Sequence, residues 1–135
     1  MTLLAFALLL LVATAGALIR GGEVERRGAA LFVTAWLASL ISQWLSGDPS
    51  PGLWLPIIDI TVLCALVGLS WRSPRPWPVY ASGFQLLALA GDAARWIETG
   101  LDVRLHLSFL AVMAFGAVGM LALGAWAPPP RARRN

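Results

Sequence analysis

Five long apolar blocks, joined by four short polar links, constrain this chain more than any other feature of it. The blocks cover residues 3–19, 28–45, 53–71, 79–97 and 105–126. Each has the length needed to cross about 30 Å of hydrocarbon at about 1.5 Å rise per residue. Lipid offers a backbone no hydrogen-bonding partner over such a length, so every block predicts a helix. Composition points the same way: 59% of residues are apolar and 13% charged, against about 45–50% and about 25% in soluble domains. That imbalance is too large for one small soluble core. The expected fold is therefore all-α, an antiparallel bundle of five transmembrane helices formed by residues 1–127. Residues 128–135, PPPRARRN, follow as an extended, solvated cytoplasmic tail.

The links are RGGEVERR at 20–27, SGDPSPG at 46–52, RSPRPWP at 72–78 and ETGLDVR at 98–104. Their shortness forces neighbouring helices to run in opposite directions, and Gly and Pro punctuate the second and third. Arginine counts set the orientation. The first link, the third link and the tail together hold eight arginines, and the other side holds only Arg95 and Arg104. The arginine-rich side is expected to be cytoplasmic, with Met1 outside. Tryptophan positions agree. Trp44, Trp54 and Trp96 fall at predicted outer ends, and Trp71, Trp77 and Trp126 at predicted inner ends. All six are expected as interfacial anchors, leaving Trp36 in mid-helix. The first block ends in small residues but lacks a basic n-region, so it is expected to be retained rather than cleaved as a signal peptide.

Polar groups inside the spans carry the candidate chemistry. Ionisable residues in a bilayer normally face the bundle interior. Asp59 and Asp92 lie about 7–9 Å below the outer boundary of the third and fourth helices, counting about 1.5 Å per residue. Arg95 is one turn beyond Asp92. Gln43 approaches the same level on the second helix, and His106 opens the fifth. Ser82, Gln85, Leu89, Asp92 and Trp96 form one stripe on the fourth helix. Two readings follow. An Asp–Arg network could lock three helices together, and an acid beside an arginine is first of all a neutralised pair. Alternatively, Asp59, Asp92, Arg95, Gln85, Gln43 and His106 could line a small hydrated cavity that binds a cation or relays protons.

Other chemistry lacks its residues. Cys64 is the only cysteine and His106 the only histidine, so no metal or haem site and no cofactor is expected. There is no P-loop, GxGxxG, GxSxG or HExxH, and no enzymatic activity is expected. The formal charge of +3 comes from arginines flanking apolar blocks, where anionic headgroups would meet them, so the partner is the bilayer and not nucleic acid. Small residues, among them Ser108, Ala111, Ala114 and Ala117 on the fifth helix and Ala90 and Ala94 on the fourth, allow close helix approach.

Residues 73–87, SPRPWPVYASGFQLL, resemble a recurring segment of small multi-pass bacterial inner-membrane proteins of unknown function. Arg75, Trp77, Pro78, Gly83, Phe84 and Gln85 carry the similarity, over about a fifth of the chain. That group commonly has a histidine further along this helix, where this chain has Asp92. The resemblance implies a bacterial inner-membrane location and no particular activity.

The leading expectation is a non-enzymatic accessory or stabilising component of a larger membrane assembly, packing against other membrane subunits or against itself. The alternative is a small ion- or proton-coupled transporter or channel that uses the outer Asp/Arg cluster. A phage-type lysis protein comes third.

Overall fold

The computed structural model describes residues 2–46, 54–98, 100 and 102–127, and among these the chain is helical with no strand. Five helices follow one another: α1 (Thr2–Ile19), α2 (Glu23–Ser46), α3 (Trp54–Trp71), α4 (Trp77–Ile97) and α5 (Val103–Trp126). Three of them, α2, α3 and α5, are long and apolar enough to cross a membrane, and α1 supplies a shorter apolar run, Leu3–Ile19. This marks the chain as a membrane protein. The tail at 128–135 and most of the second link lie outside the described residues.

Helix starts differ from the apolar blocks where local chemistry extends a helix beyond its hydrophobic part. α2 begins at Glu23 rather than residue 28. Its first turn holds Glu23 and Glu25, favoured beside the positive end of the helix dipole, and Glu23 pairs with Arg27 one turn on. At the start of α4, Pro78 occupies one of the first two helical positions, where its fixed φ suits the helix and its missing N–H costs nothing. α5 begins at Val103 because the Asp102 side chain caps it, accepting from the Arg104 backbone N–H at 2.9 Å.

Each helix packs on its neighbours in sequence, and α1 closes the set by packing on α5, with α2 also reaching α5. The result is a ring. Its apolar core contains Phe32, Val62, Leu66, Ala81, Val118 and Leu121. Outside the ring the surface is apolar too, with Leu8, Leu11, Ile41, Ile60, Leu86 and Val112 all exposed. An apolar exterior around buried Glu25, Gln85, Asp92 and His106 reverses the usual soluble pattern.

Trp44, Trp54, Trp71, Trp96 and Trp126 are exposed near helix ends, as interfacial anchors need to be. Trp77 departs from that expectation. It is 3% exposed, its indole turned into the ring between Gly28 and Gly124. A Cβ at either glycine would overlap the indole, so both positions hold space for the ring.

Candidate functional site

The helix ring leaves a chamber of about 420 Å³, lined by all five helices. α1 contributes Leu3 and Phe6; α2 contributes Phe32, Trp36, Ser39 and Gln43; α3 contributes Leu55, Ile58, Asp59 and Val62. From α4 come Gln85, Ala88 and Asp92, and from α5 mostly Leu and Ala with Phe115. The chamber reaches Leu3, Leu55 and Leu107, in the opening turns of α1, α3 and α5, and Gln43 in the last turn of α2. It is therefore at the end of the ring away from the first and third links, and it is open rather than enclosed.

The α4 stripe turns inward. Gln85 and Asp92 are buried together with Ala81 and Ala88, while Leu86 and Leu87 face outward. Gln85 donates from Nε2 to Asp59 Oδ1 at 2.7 Å, which ties α4 to α3. Asp92 is paired with His106, whose Nε2 lies 3.1 Å from Oδ1, tying α4 to α5. This contact is a close polar approach and not an aligned hydrogen bond, because Nε2 has no hydrogen-bond partner among the described residues.

The two acids thus take different partners. Gln85 precedes Asp92 by two turns, about 10 Å along the axis. Arg95, expected as the counter-charge to Asp92, does not close an ion pair with it, and the His106 ring is the group that meets the carboxylate instead. Arg95 Nη1 is buried without a hydrogen-bond partner among the described residues. Gln43 lines the chamber from α2. His106 and Arg95 are not among the residues that line the chamber, so among the described residues the ionisable side chains on its wall are Asp59 and Asp92.

Aromatic side chains form the apolar part. Phe6 meets Phe115 edge to face, with centroids 5.4 Å apart and planes at 88°, a favoured geometry. Trp36 leans on Phe6 at 6.4 Å. Trp36 was the one tryptophan that no interface explained, and its place in the chamber wall accounts for it.

At the floor of the chamber, which Val118 lines, an apolar layer of Leu66, Val118 and Leu121 is essentially fully buried. Beneath that lies a second polar group, at the arginine-rich end. Glu25 is 1% exposed. Its Oε2 accepts from the Gly22 backbone N–H at 2.8 Å, and its Oε1 accepts from Trp77 Nε1 at 3.1 Å. Arg75 Nε approaches the same Oε1 at 3.5 Å, and Arg75 Nη1 donates to the carbonyls of Gly124 and Ala127 at 3.3 Å each. A cation on the last carbonyls of α5 suits a helix C-terminus. Nearby, Arg20 lies over the Trp126 ring, 4.5 Å from its centroid. In the sequence these arginines read only as topology signals, and Glu25 falls in the first link. The available clue was Glu25 itself, an acid one residue before the Arg26–Arg27 pair.

Comparison of the chain with protein-family models, with curated proteins and with solved structures finds no match.

Proposed function

We propose that all five helices span the membrane with alternating direction, start outside and arginine-rich tail inside, and that the chain binds a cation in its chamber and carries it across. The supporting observation is the wall of that chamber, which among the described residues carries the carboxylates of Asp59 and Asp92 and no Lys, Arg or His side chain. Buried acids in a membrane bundle mark solute or ion pathways by their cost alone. Here each has one fixing partner, Gln85 or His106, which orients the carboxylate without filling the chamber. The apolar layer and the Glu25–Trp77–Arg75 group would then form the closed inner gate. A bacterial inner membrane is the setting that the arginine asymmetry and the resemblance of residues 73–87 favour.

Reconstitution into liposomes tests this reading. Uptake of a cation driven by an inside-negative potential is expected, reduced by Asp59→Asn and by Asp92→Asn. No flux of any cation through a protein shown to be correctly folded would defeat it.

The accessory-subunit reading keeps one observation in its favour. Ala30, Thr34 and Ala38 are exposed one turn apart on α2, a small-residue stripe of the kind that lets another helix approach closely. Crosslinking in native membranes from cysteines on that stripe would identify such a partner.

A further inference from the structure

The chamber's dimensions and wall chemistry narrow the cation to one class, an inference that rests on the cation-binding reading above. We infer that the occupant is a hydrophobic organic cation, an ammonium carrying an apolar or aromatic body, and not a metal ion or a bare proton.

Volume is the first argument. A metal ion needs several oxygen or nitrogen ligands closing on one point at about 2.0–2.6 Å, and no group of three His, Cys, Asp or Glu able to do this exists among the described residues. A space of about 420 Å³ is of the size that holds a small organic molecule. Wall polarity is the second. Most of the surface is apolar, with a few polar groups, Ser39 and Gln43 from α2, Asp59 from α3, and Gln85 and Asp92 from α4, the pattern of a site that takes an apolar body and fixes a polar head. Aromatic placement is the third. Phe6, Trp36 and Phe115 are gathered by mutual contact on a chamber that also carries Asp59. Ring faces and a carboxylate attract the same thing, an alkylated ammonium, and the rings also accept its hydrocarbon. Gln85 engages only Oδ1 of Asp59 and its main-chain carbonyl, which leaves carboxylate lone pairs for a cation. A proton relay would need none of the volume and none of the aromatic wall.

The test is equilibrium binding to the purified full chain in detergent micelles, comparing benzyltrimethylammonium, tetramethylammonium, sodium and the uncharged isostere neopentylbenzene. Benzyltrimethylammonium is expected to bind saturably and at least about tenfold more tightly than tetramethylammonium or sodium, since the rings add to the charge. Asp59→Asn should weaken it by about tenfold or more through loss of a poorly screened charge. Ser39→Phe, which fills the chamber while replacing a hydroxyl bonded only to its own helix at Ala35, should abolish binding with the acids intact. That variant keeps the test decisive if Asp59→Asn fails to fold. Sodium binding as well as benzyltrimethylammonium would overturn the organic-cation inference and leave the cation reading standing. Neopentylbenzene binding equally well would show an apolar site and overturn both. Binding of none of the cations would also defeat both, and binding unchanged by Ser39→Phe would place the site elsewhere and overturn the inference.

Discussion

Trp77 Nε1 donates to Glu25 Oε1 across 3.1 Å, although 52 residues separate them in sequence. The bond sits where α2 and α4 both begin, and both side chains are almost fully buried. A carboxylate so enclosed depends on its donors, because an unpaired buried charge is far more costly than an exposed one. Glu25→Ala would leave Arg75, whose side chain is 16% exposed, with only the carbonyls of Gly124 and Ala127, and removing one partner of such a pair costs about 3–5 kcal/mol. Trp77→Phe removes one donor of three and should cost less, about 1–3 kcal/mol. The exposed Glu23–Arg27 pair is the control, worth about 0–1 kcal/mol. Unfolding in mixed micelles should rank Glu25→Ala above Trp77→Phe above Glu23→Ala. Equal cost for the two glutamates would refute the buried network.

The glycines divide into two sets. A methyl group at Gly124 would overlap the Trp77 indole, whereas a Cβ at Gly83 or Gly119 meets nothing within 4 Å. Gly124→Ala should therefore destabilise by about 1–3 kcal/mol through overpacking. Gly83→Ala and Gly119→Ala should be neutral, or stabilising by up to about 1 kcal/mol from helix propensity. Thermal melts of the three variants in one detergent decide this. A Gly124→Ala protein as stable as the parent would mean the indole is not wedged there.

Where a single physical cause acts, the sequence made the structure legible. Apolar block length located all five helices, and burial of the α4 stripe at Gln85 and Asp92 followed from its spacing. Partner choice was not legible. Asp92 has Arg95 three residues away in sequence yet meets His106, because the α4–α5 packing brings a residue of the next helix closer than a neighbour on its own. Trp77 looked interfacial because it lies at a helix end, and only the pairing of Gly28 with Gly124 across the ring gives it an interior place. Glu25 was hidden for a related reason. A charged first turn does not register in an apolar count, which puts the start of α2 after it.

The Asp92–His106 contact gives a double-mutant cycle. Residues in contact couple by about 0.5–3 kcal/mol, so Asp92→Asn and His106→Gln together should cost less than the sum of each alone. A parallel cycle with Arg95→Gln should show the smaller coupling, since Arg95 closes no ion pair with Asp92. The reverse order would restore the Asp–Arg pairing expected from the sequence.

The proposed crossing of helix α4 can be tested directly. The helix holds Asp92 and Arg95, each costing up to about 3 kcal/mol at a helix centre in insertion measurements, and it is not among the three helices long and apolar enough to cross a membrane. Two features offset this. The buried stripe turns Gln85 and Asp92 to partners on α3 and α5, and Arg95 is in its last turn, near the polar boundary. If α4 crosses, Pro74 and Glu98, both exposed, lie on opposite sides. Cys64 is the one native thiol, so Cys64→Ala gives a clean background for Pro74→Cys and Glu98→Cys, neither of which changes the arginine count. An impermeant maleimide applied to intact cells should label Glu98→Cys at once, and Pro74→Cys only after permeabilisation. Equal labelling of both sites would put the two links on one side. The fifth helix would then reverse, the tail arginines would be exported, and the chamber could not open to the outside as proposed.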